Sequence, residues 1–366
     1  MKIAVITMHA VKNYGSVLQT YATQRVLLKK GHEVEIINYI REKNLDSNLS
    51  NTWTKNDTGL KKIAKKIVLY PTLQAWKKIF NAYLNKYIVM SPTTYSNEND
   101  LLNHKVNADI FCTGSDQVWN SGWNEGIEKP FYLSFVPDNV PKISLAASIG
   151  KSELNKTECD AIIPFLKRYS YISVREMSSM LFLQSLGLKN VDFCLDPTLL
   201  LSKREWLDHS ETYLGLPQKF ILVYQLNHDS KFDAYAVEIA KRKGLPLYRI
   251  CTRYDQIRLP GKPIFIPKVE QFVYLLDKAT LVLTNSFHAS AFCINLNTNF
   301  VSICPNEYSC RITDLLDLFS LSKKRLKNYN DYDIPDIMIN YDKINSLLDS
   351  YRKKSLKLID HMISEC

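Results

Sequence analysis

The 366-residue sequence predicts an α/β protein made of two doubly wound, Rossmann-like domains facing a cleft, with a C-terminal helix packing back on the first domain. Three observations predict it. Short β-branched runs alternate with helical periods along most of the chain. The series restarts around Leu200–Pro217, where Pro197, Gly215 and Pro217 punctuate it. The last stretch, Tyr341–Ser364, is long, charged and amphipathic.

The first domain is expected over 1–205. Val5-Ile6-Thr7 reads as a strand, His9–Gly15 as a polar loop, Val17–Leu28 as a helix ending at Lys30-Gly31, and Val34–Ile37 as the second strand. Residues 40–105 interrupt this series. They hold two basic helix candidates, Leu60–Tyr70 and Gln74–Tyr87, and from Lys55 to Lys86 the only acidic side chain is Asp57. The alternation resumes with strands at Ala108–Cys112, Lys142–Ala146, Tyr171–Val174 and Asn190–Asp192. The second domain, 206–335, carries strands at Phe220–Gln225, Leu247–Ile250, Leu281–Leu283 and Phe300–Ile303. Residues 336–366 form the closing helix.

Composition narrows the class. Hydrophobic residues make up 46% and charged residues 23%, the balance of a globular protein in water. The chain opens on a strand pattern rather than a signal peptide, and no apolar run reaches membrane-spanning length, so the expected location is the cytoplasm. Eight cysteines form no CxxC pair, which favours reduced core thiols over a zinc site. A net charge of +10 favours an anionic partner. Nucleic acid is disfavoured, because the basic residues concentrate in the insertion without a recognised motif.

Ligands of doubly wound sheets gather at the carboxyl ends of strands, so the loops after strands are where chemistry is expected. The first is Asn13-Tyr14-Gly15-Ser16, where Gly15 allows close backbone approach and helix-start amides attract anions. A plain turn capped by Ser16 explains the same residues. The second is Thr113–Asn120, with Ser115, Asp116, Gln117 and Trp119. Such a mixture can hydrogen-bond hydroxyls and lay an indole on a sugar face, and equally describes an Asx turn beside a core tryptophan. The third is Ala147-Ser148-Ile149-Gly150. The fourth carries Arg175, which can fork onto a carboxylate or phosphate, or pair with a neighbouring acid. The fifth, Thr284–Ser290, places His288 at the first turn of a helix, where an imidazole can transfer a proton. Arg311 opens a later helix. The other histidines, at 9, 32, 104, 209, 228 and 361, lack that context, though His9 lies in the first loop.

Taken in order, these blocks resemble the polysaccharide pyruvyl transferases. They are Asn13-Tyr14-Gly15 with Leu18-Gln19 and Tyr21-Ala22, Gly114-Ser115-Asp116-Gln117 with Trp119-Asn120, Ala147–Gly150, Ser173–Glu176, Asp196-Pro197-Thr198 and Ser286-Phe287-His288. The resemblance covers roughly 1–320. It implies a fold like the GT-B glycosyltransferases, phosphoenolpyruvate as co-substrate, no metal or other cofactor, and a pyruvate ketal on a surface-polysaccharide sugar as product. It implies a catalytic role for His288, and Asp116 is the carboxylate expected beside a cation-like centre. Donor binding falls to Arg175, Arg311, Ser286, Asn285 and Gly15, and acceptor binding to Asn13, Tyr14, Ser115, Gln117 and Trp119. Some relatives carry arginine where this chain has Ser286 or glycine where it has Ala289, and Arg311 is the residue expected to make up the charge. Two alternatives share the architecture: a glycosyltransferase using a nucleotide sugar, and a non-catalytic glycan-binding relative. A lipid-linked acceptor at the inner membrane face would match the basic stretch Lys61–Lys86, with Trp76 and Phe80 resting on anionic lipid. A solvated helix pair is the competing account of that stretch.

Overall fold

The computed structural model describes residues 1–151, 153–304 and 309–366. They form two compact units. Unit 1 comprises Met1–Leu45, Leu84–Leu201 and Asp349–Cys366, and unit 2 comprises Asp46–Tyr83 and Ser202–Leu348.

Unit 1 holds a six-stranded parallel sheet. Its strands are β1 (Lys2–Ile6), β2 (Glu33–Ile36), β3 (Ile110–Thr113), β4 (Lys142–Ala147), β5 (Tyr171–Val174) and β6 (Val191–Phe193), in the order β2-β1-β3-β4-β5-β6. β3 and β4 are buried along their whole length. That is why they read as continuous apolar or small runs rather than alternating ones. The first helix, Tyr14–Lys29, begins where Asn13 accepts the Gly15 N–H and ends before Gly31 at φ +83°. The order reverses between β1 and β3, and loops at such a switch point open a crevice beyond the carboxyl ends.

Unit 2 repeats the plan with β7 (Ile221–Tyr224), β8 (Leu247–Cys251), β9 (Lys262–Phe265), β10 (Leu281–Thr284), β11 (Phe300–Ile303) and β12 (Arg325–Leu326), in the order β12-β11-β10-β7-β8-β9. The switch lies between β7 and β10. Sequence reading misses β9 and β12. β12 has only two residues, and β9 contains Pro263, which the sheet tolerates because β9 is an edge strand.

The closing helix spans Tyr341–Ser364, as the sequence predicts. From Asp349 onward it belongs to unit 1. There Ser355 Oγ accepts the Leu195 N–H at 3.0 Å, and Arg352 donates to the Leu199 and Leu201 carbonyls. Ile359 and Met362 are fully buried.

The basic stretch differs from expectation in two ways. It is one helix, Gly59–Tyr87, running through Pro71. Leu69, Thr72, Trp76, Phe80 and Tyr83 are buried at helical spacing, and this stripe holds both sides of the proline in register. The second difference concerns Trp76 and Phe80, which are buried in unit 2 and do not face solvent. The Trp76 indole donates to the Thr252 carbonyl at 2.7 Å, and Trp53 packs against its ring. The Tyr83 hydroxyl lies 2.8 Å from His209 Nε2. Asp46–Tyr83, the core of the expected 40–105 insertion, thus groups with unit 2.

Candidate functional site

In unit 1 every motif loop lies at the carboxyl edge of the sheet, and one buried cation ties them together. Arg175 follows β5, and its guanidinium has no solvent exposure. Nη1 donates to Asp196 Oδ2 at 2.8 Å, Nε donates to Glu176 Oε1 at 3.0 Å, and Nη2 lies 3.5 Å from Asp116 Oδ1. Burial disfavours its charge, but the carboxylates of Glu176, Asp196 and Asp116 outweigh burial and raise its pKa. Three serines complete the net. Ser16 donates to Asp116 at 2.7 Å, Ser115 to Asp196 at 3.1 Å and Ser148 to Glu176 at 2.7 Å. Loops separated by up to 180 positions are thereby fixed to each other.

Asp116 is at the centre. Its backbone adopts φ +75°, uncommon for a residue with a side chain. Its carbonyl accepts the Ser148 N–H at 3.0 Å, and its carboxylate accepts the Gln117 N–H at 2.9 Å. With three carboxylates around one guanidinium the cluster is formally anionic. Such a cluster suits sugar hydroxyls or a cation-like centre and repels a phosphate.

The geometry revises several sequence expectations. Arg175 is committed to three carboxylates, so it positions Asp116 and does not present a fork to a donor. Trp119 is 1% exposed, stacks on Tyr132 with ring centroids 5.6 Å apart, and donates its indole N–H to the Phe131 carbonyl at 3.0 Å. It is a core residue and offers no face to a sugar. Tyr14 is also fully buried, as is the Ser115 hydroxyl. The Gly15 N–H is taken by the Asn13 side chain at 2.8 Å, which makes that turn a cap. Asn13 and Gln117 stay half-buried, and Gln117 accepts from Asn120 at 2.6 Å.

Gly150 packs against this amide pair. A Cβ there would press on the Asn120 amide and come within 2.8 Å of Gln117 Oε1, and the backbone has φ +71°. Gly150→Ala is therefore expected to destabilise the protein by about 2–4 kcal/mol. Urea denaturation of the variant measures this directly.

His9 lies after β1. Its Nε2 is 3.1 Å from Asn38 Oδ1 and its Nδ1 3.3 Å from the Thr7 carbonyl. Burial dominates and lowers its pKa, with Lys12 acting in the same sense.

Unit 2 brings its own set to the switch between β7 and β10. Asn285 follows β10 and braces the loop after β7. Its Oδ1 accepts the Leu226 N–H at 2.7 Å, and its amide donates to the Asn227 carbonyl at 3.1 Å. Ser286 caps the next helix, Phe287–Leu296, by accepting the Ala289 N–H at 3.3 Å. His288 sits in the first turn, buried, with its ring edge-to-face with Phe287. Arg311 is half-buried on the first turn of the helix Ser309–Leu318.

One residue of this site is passed over by sequence reading. His228 lies on the loop that Asn285 braces, 3.0 Å from Asp233. Asp233 is buried and paired with Arg249 at 2.5 Å, and Arg249 also donates to Gln225 at 2.9 Å. The signal was available, since His228 follows a strand end just as His288 does.

A pocket of about 570 Å³ opens elsewhere, at the amino ends of β1, β3 and β4, among Leu101, Phe111, Phe135 and Val136. No motif residue lines it. Among the described residues no group of three His, Cys, Asp or Glu side chains is placed to hold a metal ion, and no helix is long and apolar enough to cross a membrane.

Comparison with known proteins follows the same lines. A family model described as polysaccharide pyruvyl transferase matches residues 13–306. No curated protein matches the chain. Among solved structures, the chain is similar to UDP-GlcNAc 2-epimerase from Methanocaldococcus jannaschii in complex with UDP-GlcNAc and UDP, at TM-score 0.57 and 12% identity, covering all of both chains. It is similar to a putative UDP-N-acetylglucosamine 2-epimerase from Listeria monocytogenes, at TM-score 0.56 and 10% identity, over 100% of this chain and 97% of that one. It is also similar to UGT2 of Phytolacca americana, at TM-score 0.51 and 11% identity, over 100% and 99%. These likenesses show a shared GT-B-like fold of two Rossmann-like domains.

Proposed function

The chain belongs to the polysaccharide pyruvyl transferase family, and from that premise we propose that it transfers the enolpyruvyl unit of phosphoenolpyruvate to a sugar of a surface-polysaccharide precursor, forming a cyclic pyruvate ketal. The observation that carries this reading is His288: a buried imidazole in the first turn of the helix after β10, beside the switch point of its sheet.

The chemistry needs a proton at the methylene carbon of the donor. His288 supplies it, leaving an oxocarbenium-like centre at the adjacent carbon. One sugar hydroxyl adds to that carbon and loses its proton. The bond to the phosphate oxygen breaks and inorganic phosphate departs. A second hydroxyl of the same sugar then closes the ketal, and of the two hydroxyl protons one restores His288 and the other leaves on the phosphate. Donor recognition falls to unit 2, where Arg311 and the amides at the start of Phe287–Leu296 suit a phosphate and a carboxylate, on a loop that Asn285 braces. Acceptor recognition falls to unit 1, where Asp116, Gln117 and Asn13 suit hydroxyls, and Arg175 holds Asp116 in place. The preferred acceptor is a hexose such as galactose, carried on a polyprenyl diphosphate at the cytoplasmic face of the membrane.

The test is to incubate the protein with phosphoenolpyruvate and a galactoside and to measure inorganic phosphate and ketal. Acceptor-dependent phosphate release is the expected result. Release of UDP from a UDP-sugar, with no phosphate from phosphoenolpyruvate, would overturn the reading.

A further inference from the structure

The basic helix Gly59–Tyr87 carries apolar side chains on two opposite sides. One face carries Leu69 and continues into Thr72, Trp76 and Phe80, buried in unit 2. On the other side Leu60, Ile63, Ile67, Val68 and Tyr70 are 56–85% exposed. Leu60, Ile63, Ile67 and Tyr70 recur at intervals of three and four residues, so they form one stripe along the helix. A run of five large exposed hydrophobic side chains in eleven residues is unusual for a surface that meets only water.

The charges around the stripe say what should cover it. The helix carries seven lysines and no acidic residue. Lys61 and Lys65 pair with the single nearby acid, Asp57, at 3.3 and 2.7 Å. Lys62 and Lys66 lie half-buried on the inner side, where Lys66 donates to Asn51 at 2.7 Å, and the exposed Lys77 and Lys78 continue the outward face beyond the stripe. A second copy of this chain would bring the same lysines against these, which opposes self-pairing. An anionic surface has the required charge. The stripe is convex, aliphatic apart from one tyrosine at its end, and three turns long. Those are the dimensions of a helix that lies in an interface, with its side chains among acyl chains and its lysines at phosphate depth.

We infer that the outer face of Gly59–Tyr70 is a docking surface for an anionic lipid bilayer. The side chains that enter it are Leu60, Ile63, Ile67, Val68 and Tyr70, whereas Trp76 and Phe80 anchor the helix to unit 2. The inference stands apart from the transfer reaction, and its test uses no substrate.

The full chain is to be sedimented with vesicles of phosphatidylcholine alone and of an equal mixture with phosphatidylglycerol. Binding to the mixed vesicles, weakened by salt, is expected. Ile63→Glu with Ile67→Glu should lower it about tenfold or more, because two exposed aliphatic side chains become anions facing anionic lipid. Glutamate is a good helix former at such exposed positions, so the variant should keep the wild-type thermal midpoint. Lys77→Gln with Lys78→Gln should lower binding by less and reduce its salt dependence. Equal binding by wild type and the Ile63/Ile67 variant overturns the inference. So does a dimer, seen by sedimentation equilibrium and dissolved by the same variant, since a second copy would then be what covers the stripe. Absence of binding to the mixed vesicles overturns it as well.

Discussion

Replacing Arg175 by leucine should cost about 3–5 kcal/mol of folding stability, the largest effect expected of any single substitution at this site. The reason is what remains. Asp116, Glu176 and Asp196 stay buried around an apolar side chain, each having lost its cation. Buried carboxylates without a cation take up protons more readily than they do in the unfolded chain. The folded variant then binds more protons than the unfolded one, so its deficit relative to wild type should shrink as the pH falls toward the carboxylate range. Urea denaturation of both proteins at neutral and mildly acid pH measures this. A deficit below about 1 kcal/mol, on the scale typical of an exposed ion pair, would show that the cluster does not tie these loops together. Arg175→Lys keeps the charge but loses the fork that reaches three partners, and should fall between the two.

Replacing His288 by glutamine should leave the fold intact and lower the turnover of phosphoenolpyruvate by about 10²–10⁴-fold, the range for loss of a general acid. The loss should appear in kcat, with a small change in KM, because the proton is needed after the donor is bound. His228→Gln offers the contrast. His228 is oriented by Asp233 on the loop that Asn285 braces. If turnover survives in His288→Gln but not in His228→Gln, the proton-transfer role belongs to the second histidine.

Much of the architecture is readable from residue order because parallel strands are buried on both faces. Runs such as Ile221–Tyr224 and Leu281–Thr284 announce themselves without any need for alternation. The closing helix is readable because one apolar stripe persists through a charged background. Of the two strands that are missed, β9 contains Pro263, which marks an edge and looks like a break. Pro71 misleads in the same way. It suggests two helices, while a buried stripe passing through it holds one.

At the site the positions of the loops are legible and the directions of their side chains are not. Small and acidic residues after a strand locate the carboxyl edge of a sheet. They do not say that Trp119 turns inward onto Tyr132 or that Tyr14 does the same. Arg175 is ambiguous for a different reason. Only Glu176 is its neighbour in sequence, whereas Asp196 lies 21 residues on and Asp116 comes from another loop. A charge with one visible partner reads as available for a ligand, and folding supplies the other two.

Unit 1 is assembled from three stretches of chain, and the third is Asp349–Cys366. Until that stretch leaves the ribosome, the Leu195 N–H lacks the Ser355 hydroxyl, the Leu199 and Leu201 carbonyls lack Arg352, and the core lacks Ile359 and Met362. The strands of unit 1 are synthesised first, yet their unit is closed last. Without that stretch, unit 1 keeps apolar surface uncovered that Ile359 and Met362 bury. The chain order of unit 1 and its completion therefore differ: strands made first await a helix made last.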